Sequence, residues 1–85
     1  MKISVEISMY PLDEDFGEHI LNFIKKIKTH PNISSKTNSM STQIFGEYDD
    51  VMTLLQKEMK PVFEDKIKTV MVMKFINVDL DYNFE

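Results

Sequence analysis

The first ten residues alternate between apolar and polar side chains, which is the pattern of a strand with one buried face. The apolar set is Ile3, Val5, Ile7 and Met9, and the polar set is Ser4, Glu6, Ser8 and Tyr10. Pro11 has no backbone N–H to donate, so we expect it to end the strand. The chain therefore begins with a predicted strand that has one apolar and one polar face.

Two later stretches have the spacing of amphipathic helices. The first is predicted from about residue 14 to about residue 29, after acidic residues that favour a helix N-terminus. Its apolar stripe consists of Phe16, Ile20, Phe23, Ile24 and Ile27. Asp49 and Asp50 open the second predicted helix, which Pro61 should kink or end. The second stripe consists of Val51, Leu54, Leu55, Met59, Val62 and Phe63.

Three further strands complete the pattern. A short strand is predicted around residues 33–38, a turn near 38–40 and another strand from about 41 to 47, where Gly46 is compatible with a bulge. Residues 67–78 are rich in valine, isoleucine and methionine and form the last predicted strand. The element order is therefore βαββαβ. Right-handed crossovers then predict an α+β, ferredoxin-like sandwich, in which a four-stranded antiparallel sheet carries both helices on one face.

The first and third strands are neighbours in this arrangement. Ser8 and Tyr10 should therefore lie close to Ser41 and Thr42, although more than thirty positions separate them in the sequence. Together with Glu6, they would give the sheet a polar face of hydroxyl and carboxylate groups. Such a surface can hold a small polar molecule but lacks the usual groups for breaking bonds. The sequence thus predicts a small-molecule binding module.

The composition fits a single domain over residues 1–85. The chain has 85 residues, of which 42% are apolar, enough for one modest core. The acidic residues 79–85 are expected to fray as a tail without a task. No apolar run approaches the roughly 20 residues of a membrane span, and no charged-then-apolar leader precedes the first strand. We therefore expect no membrane insertion and a cytoplasmic location.

The charged residues exclude several classes of partner and cofactor. The net charge is −4, and all ten basic residues are lysine, so the bidentate guanidinium that often grips nucleic acid is absent. The chain has no cysteine, which removes thiolate nucleophiles and cysteine-based metal sites. His19 and His30 have no candidate ligand three or four positions further along the chain. We therefore expect no nucleic-acid partner, no metal, no cofactor and no catalytic residues.

The last predicted strand indicates assembly. Residues 70–76 are apolar on both faces except at Lys74, whereas two helices cover only one side of a four-stranded sheet. A strand that is apolar on both sides usually requires cover on both sides. We therefore expect a homo-oligomer, either a dimer or a tetramer.

Three segments of the chain resemble the thiamine-binding, YkoF-like family. They are Ile7-Ser-Met-Tyr-Pro-Leu12 with the acidic residues after it, Thr37-Asn-Ser-Met-Ser-Thr42 with the following Gly46-Glu47, and, more loosely, the residues 68–75. The resemblance covers roughly residues 2–78. It implies a ferredoxin-like domain that binds thiamine or its hydroxymethylpyrimidine portion. It also implies that single domains assemble so that pairs of them cooperate.

The chemistry of such a ligand suits the polar residues of these segments. An aminopyrimidine offers an exocyclic amine and ring nitrogens, which the amide of Asn38 and the hydroxyls of Ser8, Ser41 and Thr42 can match. The thiazolium of thiamine is a cation, which Glu6 or Glu47 could balance or the Tyr10 ring could face. Met40 would pack on a ring face. The predicted ligand-binding residues are Glu6, Ser8, Tyr10, Asn38, Met40, Ser41 and Thr42.

Two other functions stay open on the sequence alone. One is a regulatory or scaffold domain whose polar sheet face is a subunit interface. The other is a ferredoxin-like monooxygenase or isomerase, for which Glu6 as a lone base is thin support. The lack of arginine around the last strand favours the unphosphorylated vitamin or its fragment over a phosphorylated form. The leading hypothesis is reversible binding for transport, storage or sensing, with a transporter as a possible partner.

Overall fold

A computed structural model, described here over residues 1–82, has the predicted order of elements. The strands and helices are β1 (Lys2–Pro11), α1 (Phe16–Ile27), β2 (Ser34–Thr37), β3 (Thr42–Glu47), α2 (Tyr48–Glu64) and β4 (Thr69–Ile76). The strands form one antiparallel sheet in the order β2-β3-β1-β4. The ferredoxin-like α+β architecture is therefore confirmed, with β1 and β3 as central neighbours. No helix in residues 1–82 is long and apolar enough to cross a membrane.

Both helices cover the same face of the sheet, which we call the helix-side face. The alternation of β1 directs Val5 to this face, where Ile44 of β3 is its direct partner. Leu54 of α2 and Ile27 of α1 pack against them, and all four side chains are fully buried. The opposite side of the sheet, which we call the outer face, carries the polar set of β1. The core therefore lies between the helices and the sheet, as the alternation predicts.

Helix α2 does not end at its proline. It continues through Pro61 to Glu64, because a missing N–H so close to the end of a helix removes only one hydrogen bond on a side that faces solvent. Val62 packs against the core as predicted, but Phe63 is 52% exposed. The predicted buried stripe is therefore wrong at Phe63.

Gly46 does not form a bulge. The pairing of β1 with β3 is continuous through Ile3–Gly46 and Lys2–Glu47. A Cβ atom at this position would lie 2.9 Å from Cδ1 of Ile33 and 3.3 Å from the carbonyl oxygen of Asn32. Glycine is thus required here because the loop before β2 approaches the strand closely, not because the strand is interrupted.

The residues after β4 form a fixed segment on the outer face, which we call the strap (residues 78–82). The Ser4 hydroxyl donates to the carbonyl of Val78 at 2.7 Å and accepts from the backbone N–H of Leu80 at 2.9 Å. The Ser34 hydroxyl donates to the Asp81 carboxylate at 2.6 Å. The expected fraying is therefore not found over residues 79–82, because side chains on β1 and β2 form hydrogen bonds with the strap. Residues 83–85 of the predicted tail lie outside the described residues.

Both histidines have carboxylate partners that the sequence did not indicate. Nε2 of His19 lies 2.9 Å from Oδ2 of Asp13, and Nε2 of His30 lies 2.8 Å from Oε2 of Glu58. The search for partners at helical spacing therefore did not indicate either pair. Neither partner lies at helical spacing, since both pairs form across turns or between elements. The His30–Glu58 contact links the loop between α1 and β2 to α2.

Candidate ligand-binding site

The turn between β2 and β3 is built around Asn38. Its side-chain oxygen accepts hydrogen bonds from the backbone N–H groups of Met40 at 2.8 Å and of Ser41 at 3.0 Å. Its own N–H donates to the carbonyl of Ser41 at 3.0 Å. An asparagine side chain can replace a backbone turn in this way, which is why the chain reverses here. The group that Asn38 can still offer to a ligand is its amide NH₂.

The two residues after this turn point to opposite faces of the sheet. The Ser41 hydroxyl donates to Oε2 of Glu6 at 2.9 Å on the outer face. Thr42 pairs with Ile7 of β1 and is only 6% exposed on the helix-side face. Its hydroxyl lies 3.1 Å from the hydroxyl of Thr37 on β2. The structure therefore brings the Ser41 hydroxyl to Glu6 of β1, whereas Ser8 and Tyr10 had been expected as its neighbours, and it separates Thr42 from the polar face of β1.

On the outer face, Glu6 lies at the centre of a small polar group. The Lys74 ammonium, 2.9 Å from Oε1 of Glu6, and then the Ser41 hydroxyl lower the pKa of this carboxyl below its usual range. Ser8 and Tyr10 lie farther along β1, opposite Val72 and Val70 of β4. Tyr10 is 54% exposed and belongs to the open part of this face.

On the other side of the sheet, a pocket of about 290 Å³ opens between α1 and the β2–β3 turn. We call it the helix-side pocket. Apolar side chains of β1 and α1 form one part of its wall, and the turn residues with the two threonines form the other. The residues relevant to recognition are Met9, Ile20, Phe23, Thr37, Asn38 and Thr42. Its size lies at the lower end of the range for small-molecule sites.

The helix-side pocket is mainly apolar, with uncharged polar groups on the side of the turn. Among the described residues that line it, none is Asp, Glu, His, Lys or Arg. The hydroxyl pair of Thr37 and Thr42 uses one proton for its internal hydrogen bond. The second proton and the remaining lone pairs can serve a ligand. The pocket is therefore suited to an uncharged molecule with adjacent donors and acceptors.

A second and separate pocket, of about 420 Å³, lies on the outer face beside the strap. We call it the outer-face pocket. Glu6, Gln43 and Lys74 line it, together with Phe45 and Leu80. This pocket combines an ion pair with apolar walls, and the thickness of the sheet separates it from the helix-side pocket.

The predicted site residues are thus divided between two surfaces. Asn38, Met40 and Thr42 line the helix-side pocket, and Ser41 borders it although its hydroxyl points to the outer face, whereas Glu6 lines the outer-face pocket. Ser8 and Tyr10 are on the outer face. Glu47, considered as a partner for a cation, instead binds the N-terminal ammonium at 3.0 Å. The seven predicted residues do not form one pocket, because neighbouring side chains along a strand alternate between its faces.

Thr37 and the apolar side chains of α1 were not among the predicted site residues. A signal for Thr37 was present, since a tight turn at residues 38–41 places residues 37 and 42 opposite each other. The apolar wall had no signal of its own, because Ile20 and Phe23 read as ordinary core positions of α1. In residues 1–82, no three His, Cys, Asp or Glu side chains come together in a group that could hold a metal ion.

Comparison with protein families identifies the chain. The model of the family described as thiamine-binding protein matches residues 5–82, which include most of β1, the turn, both helices and the strap. The chain belongs to the thiamine-binding protein family. A comparison of the sequence of this family member with curated proteins found no significant match.

Solved structures show the same fold. A candidate thiamine biosynthesis or salvage protein from Thermotoga maritima is 22% identical, with a TM-score of 0.76 over 88% of this chain and 82% of that one. A protein from Streptococcus pneumoniae is 20% identical, with a TM-score of 0.82 over 94% of this chain and 90% of that one. At this level of identity the likeness establishes the fold of the thiamine-binding family member and not its ligand.

Proposed function

We propose that this chain binds the hydroxymethylpyrimidine portion of thiamine reversibly in the helix-side pocket, without chemical conversion. The observation that carries the proposal is the uncharged pocket between α1 and the β2–β3 turn, in a chain of the thiamine-binding family. A cytoplasmic role in transport, storage or sensing follows as part of the same proposal.

The hydroxyl pair supplies the hydrogen bonds that an aminopyrimidine needs. The exocyclic amine of this ring donates, and the adjacent ring nitrogen accepts. The Thr37 and Thr42 hydroxyls, 3.1 Å apart, can accept from the amine and donate to the nitrogen. The Asn38 amide can donate to a further ring nitrogen or to the hydroxymethyl group. Phe23 and Met9 provide apolar contacts for the ring faces.

The charge of the pocket favours the pyrimidine over the rest of the vitamin. A buried cation requires a counter-charge, and the lining of the helix-side pocket offers none among the described residues. We therefore expect the thiazolium of thiamine to remain at the mouth of the pocket, in contact with water. A diphosphate gains nothing here, because no lysine lines this pocket in the described part of the chain.

A binding role without turnover agrees with the positions of the reactive groups. The pairs His19–Asp13 and His30–Glu58 do not line the helix-side pocket. The pocket therefore holds hydroxyls and amides but no evident general base. A product formed from hydroxymethylpyrimidine or thiamine during incubation with the protein would overturn this part of the proposal.

Thermal unfolding with three ligands tests the assignment. Hydroxymethylpyrimidine at 100 times its dissociation constant should stabilise the fold by about 2.7 kcal/mol. For a domain of this size the melting temperature should then rise by roughly 10 °C. Thiamine should give a similar or smaller rise and thiamine diphosphate the smallest. If none of the three raises the melting temperature, the ligand assignment fails and a subunit-joining domain becomes the better description.

A matched pair of substitutions tests the location. Thr42→Val keeps the shape of the side chain but removes its hydroxyl, and it should weaken hydroxymethylpyrimidine binding about tenfold, or about 1.4 kcal/mol. Thr53→Val makes the same change on the exposed side of α2 and should leave the dissociation constant unchanged. Calorimetric titration of both variants measures the difference. Equal affinities in the two variants would place the ligand elsewhere.

We also propose that the chain forms a homo-oligomer through the apolar part of the outer face. Val70 and Val72 of β4 are about half exposed there, at 49% and 53%, and Tyr10 lies beside them. The strap covers the opposite part of this face and leaves these side chains open. A second copy would remove them from water. Whether the partner is one further copy or three is decided by the mass in solution.

A further inference from the structure

We propose that the outer-face pocket is a second ligand site, which binds a small zwitterion with an apolar side chain, namely an apolar α-amino acid. The proposal does not depend on the helix-side pocket, which lies on the opposite face of the sheet. It is carried by the ion pair of Glu6 and Lys74 at one end of a pocket of about 420 Å³ with apolar walls.

The strap is what turns this part of the sheet into a pocket. Its backbone is held to β1 by both hydrogen bonds of Ser4, and Asp81 is held to β2 by Ser34. Lys36 adds an ion pair with Asp81 at 3.2 Å. These contacts fix Leu80 as a wall above the sheet. Without the strap, the same surface would be an open sheet face.

The charged end of the pocket is formed by neighbouring strands. Glu6 of β1 lies directly between Lys74 of β4 and Gln43 of β3 in the register of the sheet. The Lys74 side chain is 78% exposed and that of Glu6 is 34% exposed, so water reaches the pair. An exposed ion pair of this kind is held weakly and can rearrange around a ligand. Gln43 can donate to or accept from the same ligand.

An α-amino acid matches this arrangement better than a ligand with a single charge. Its ammonium can bind Glu6 while its carboxylate binds Lys74, so one ion pair is exchanged for two. A simple amine would leave Lys74 without its carboxylate, and a simple acid would leave Glu6 without its ammonium. The side chain of the amino acid would then contact Phe45, Ile76 and Leu80. The charge pattern therefore selects a zwitterion, and the walls select an apolar side chain.

Titration followed by amide chemical shifts tests the proposal on the intact chain. We expect leucine or phenylalanine, at up to roughly 20 mM, to saturate a site with a millimolar dissociation constant. The shifts should centre on β1, β3, β4 and the strap. Isoamylamine and 4-methylpentanoate, which lack one charge of leucine each, should bind at least fivefold more weakly. Saturating hydroxymethylpyrimidine should leave the leucine shifts intact.

Variants on the charged end complete the test. Glu6→Gln and Lys74→Gln should each weaken leucine binding at least fivefold, whereas Glu64→Gln and Lys60→Gln, the same changes on exposed positions of α2, should not. Melting temperatures confirm that each variant is folded. Three results would overturn the proposal: no shifts with leucine, equal binding of leucine and isoamylamine, or unchanged leucine binding in Glu6→Gln. A failed titration with leucine leaves the pyrimidine assignment untouched, because that site lies on the other face.

Discussion

Replacement of His30 by alanine should destabilise the fold more than the position of this residue in a connecting segment suggests. Nε2 of His30 lies 2.8 Å from Oε2 of Glu58, and Glu58 is only 7% exposed on α2. The substitution removes the histidine partner from a carboxyl group that water hardly reaches. The cost therefore includes the penalty of leaving a buried polar group without this hydrogen bond.

The magnitude follows from the nature of the contact. A hydrogen bond to a charged group contributes about 1.5–3 kcal/mol to the free energy of unfolding. For a domain of this length, 1 kcal/mol corresponds to a change of roughly 4–8 °C in melting temperature. We therefore expect His30→Ala to lower the melting temperature by roughly 10 °C, and the urea midpoint to fall with an unchanged slope.

A double-mutant cycle separates the contribution of the His30–Glu58 contact from the other effects of truncating His30. Glu58→Leu replaces the buried acid by an apolar side chain of similar length, beside the buried Leu54 and Leu55 of the same helix. In this background His30→Ala should cost less than about 0.5 kcal/mol, because the carboxyl it stabilises is gone. Urea unfolding of the four proteins measures the coupling. An equal cost in both backgrounds would refute the reasoning.

Three further predictions concern other parts of the fold. Gly46→Ala should destabilise the domain by about 1–3 kcal/mol, because its added methyl group overpacks the strand against the loop. Gly17→Ala should stabilise it by about 0.5–1 kcal/mol, because no atom lies within 4 Å of the added methyl group and alanine favours a helix. Urea unfolding that ranks the two variants the other way would contradict the packing argument. The Asp13 carboxylate raises the pKa of His19, so this contact contributes stability below the ordinary pKa of about 6.5 and loses it as the pH rises through the higher pKa in the fold. An NMR titration should show a lower pKa for His19 in Asp13→Asn, and an unchanged value would exclude Asp13 as the cause. Val72→Lys should convert the proposed oligomer to a monomer in light scattering, and a monomeric mass already in the unsubstituted chain would end that proposal.

Much of the fold follows from local patterns in the sequence. The alternation of β1 and the spacing of α1 indicate which side chains face the core, except at Phe16, which is 58% exposed. Only one common topology accommodates the order βαββαβ with right-handed crossovers. The structural effects of Pro61 and Gly46 were harder to predict, because each depends on the surroundings of the residue in the fold. Pro61 is tolerated near the end of α2, and Gly46 is required by a loop that approaches it from elsewhere in the sequence.

The candidate site could be predicted only in part from the sequence. The turn at Asn38 and the proximity of Ser41 to β1 were predicted, since both follow from a hairpin beside a central strand. The division of Ser41 and Thr42 between two faces also follows from strand alternation, once the bounds of β3 are known. The strap could not be predicted, because five alternating apolar and acidic residues do not indicate a partner and Ser4 is 76 positions from Leu80.

The hydrogen bonds between Ser4 and the strap also affect the order in which the molecule can assemble. Strand β1 is synthesised before every other element, yet it lies between β3 and β4 and binds the strap, so its last partners are made more than sixty positions later. Contacts between such distant positions slow folding, because a long loop must close before they form. Until then the edge of β1 that pairs with β4 has no hydrogen-bonding partner, and an unpaired strand edge favours aggregation. We therefore expect the sheet of this family member to form cooperatively once β4 has been synthesised, rather than element by element during synthesis.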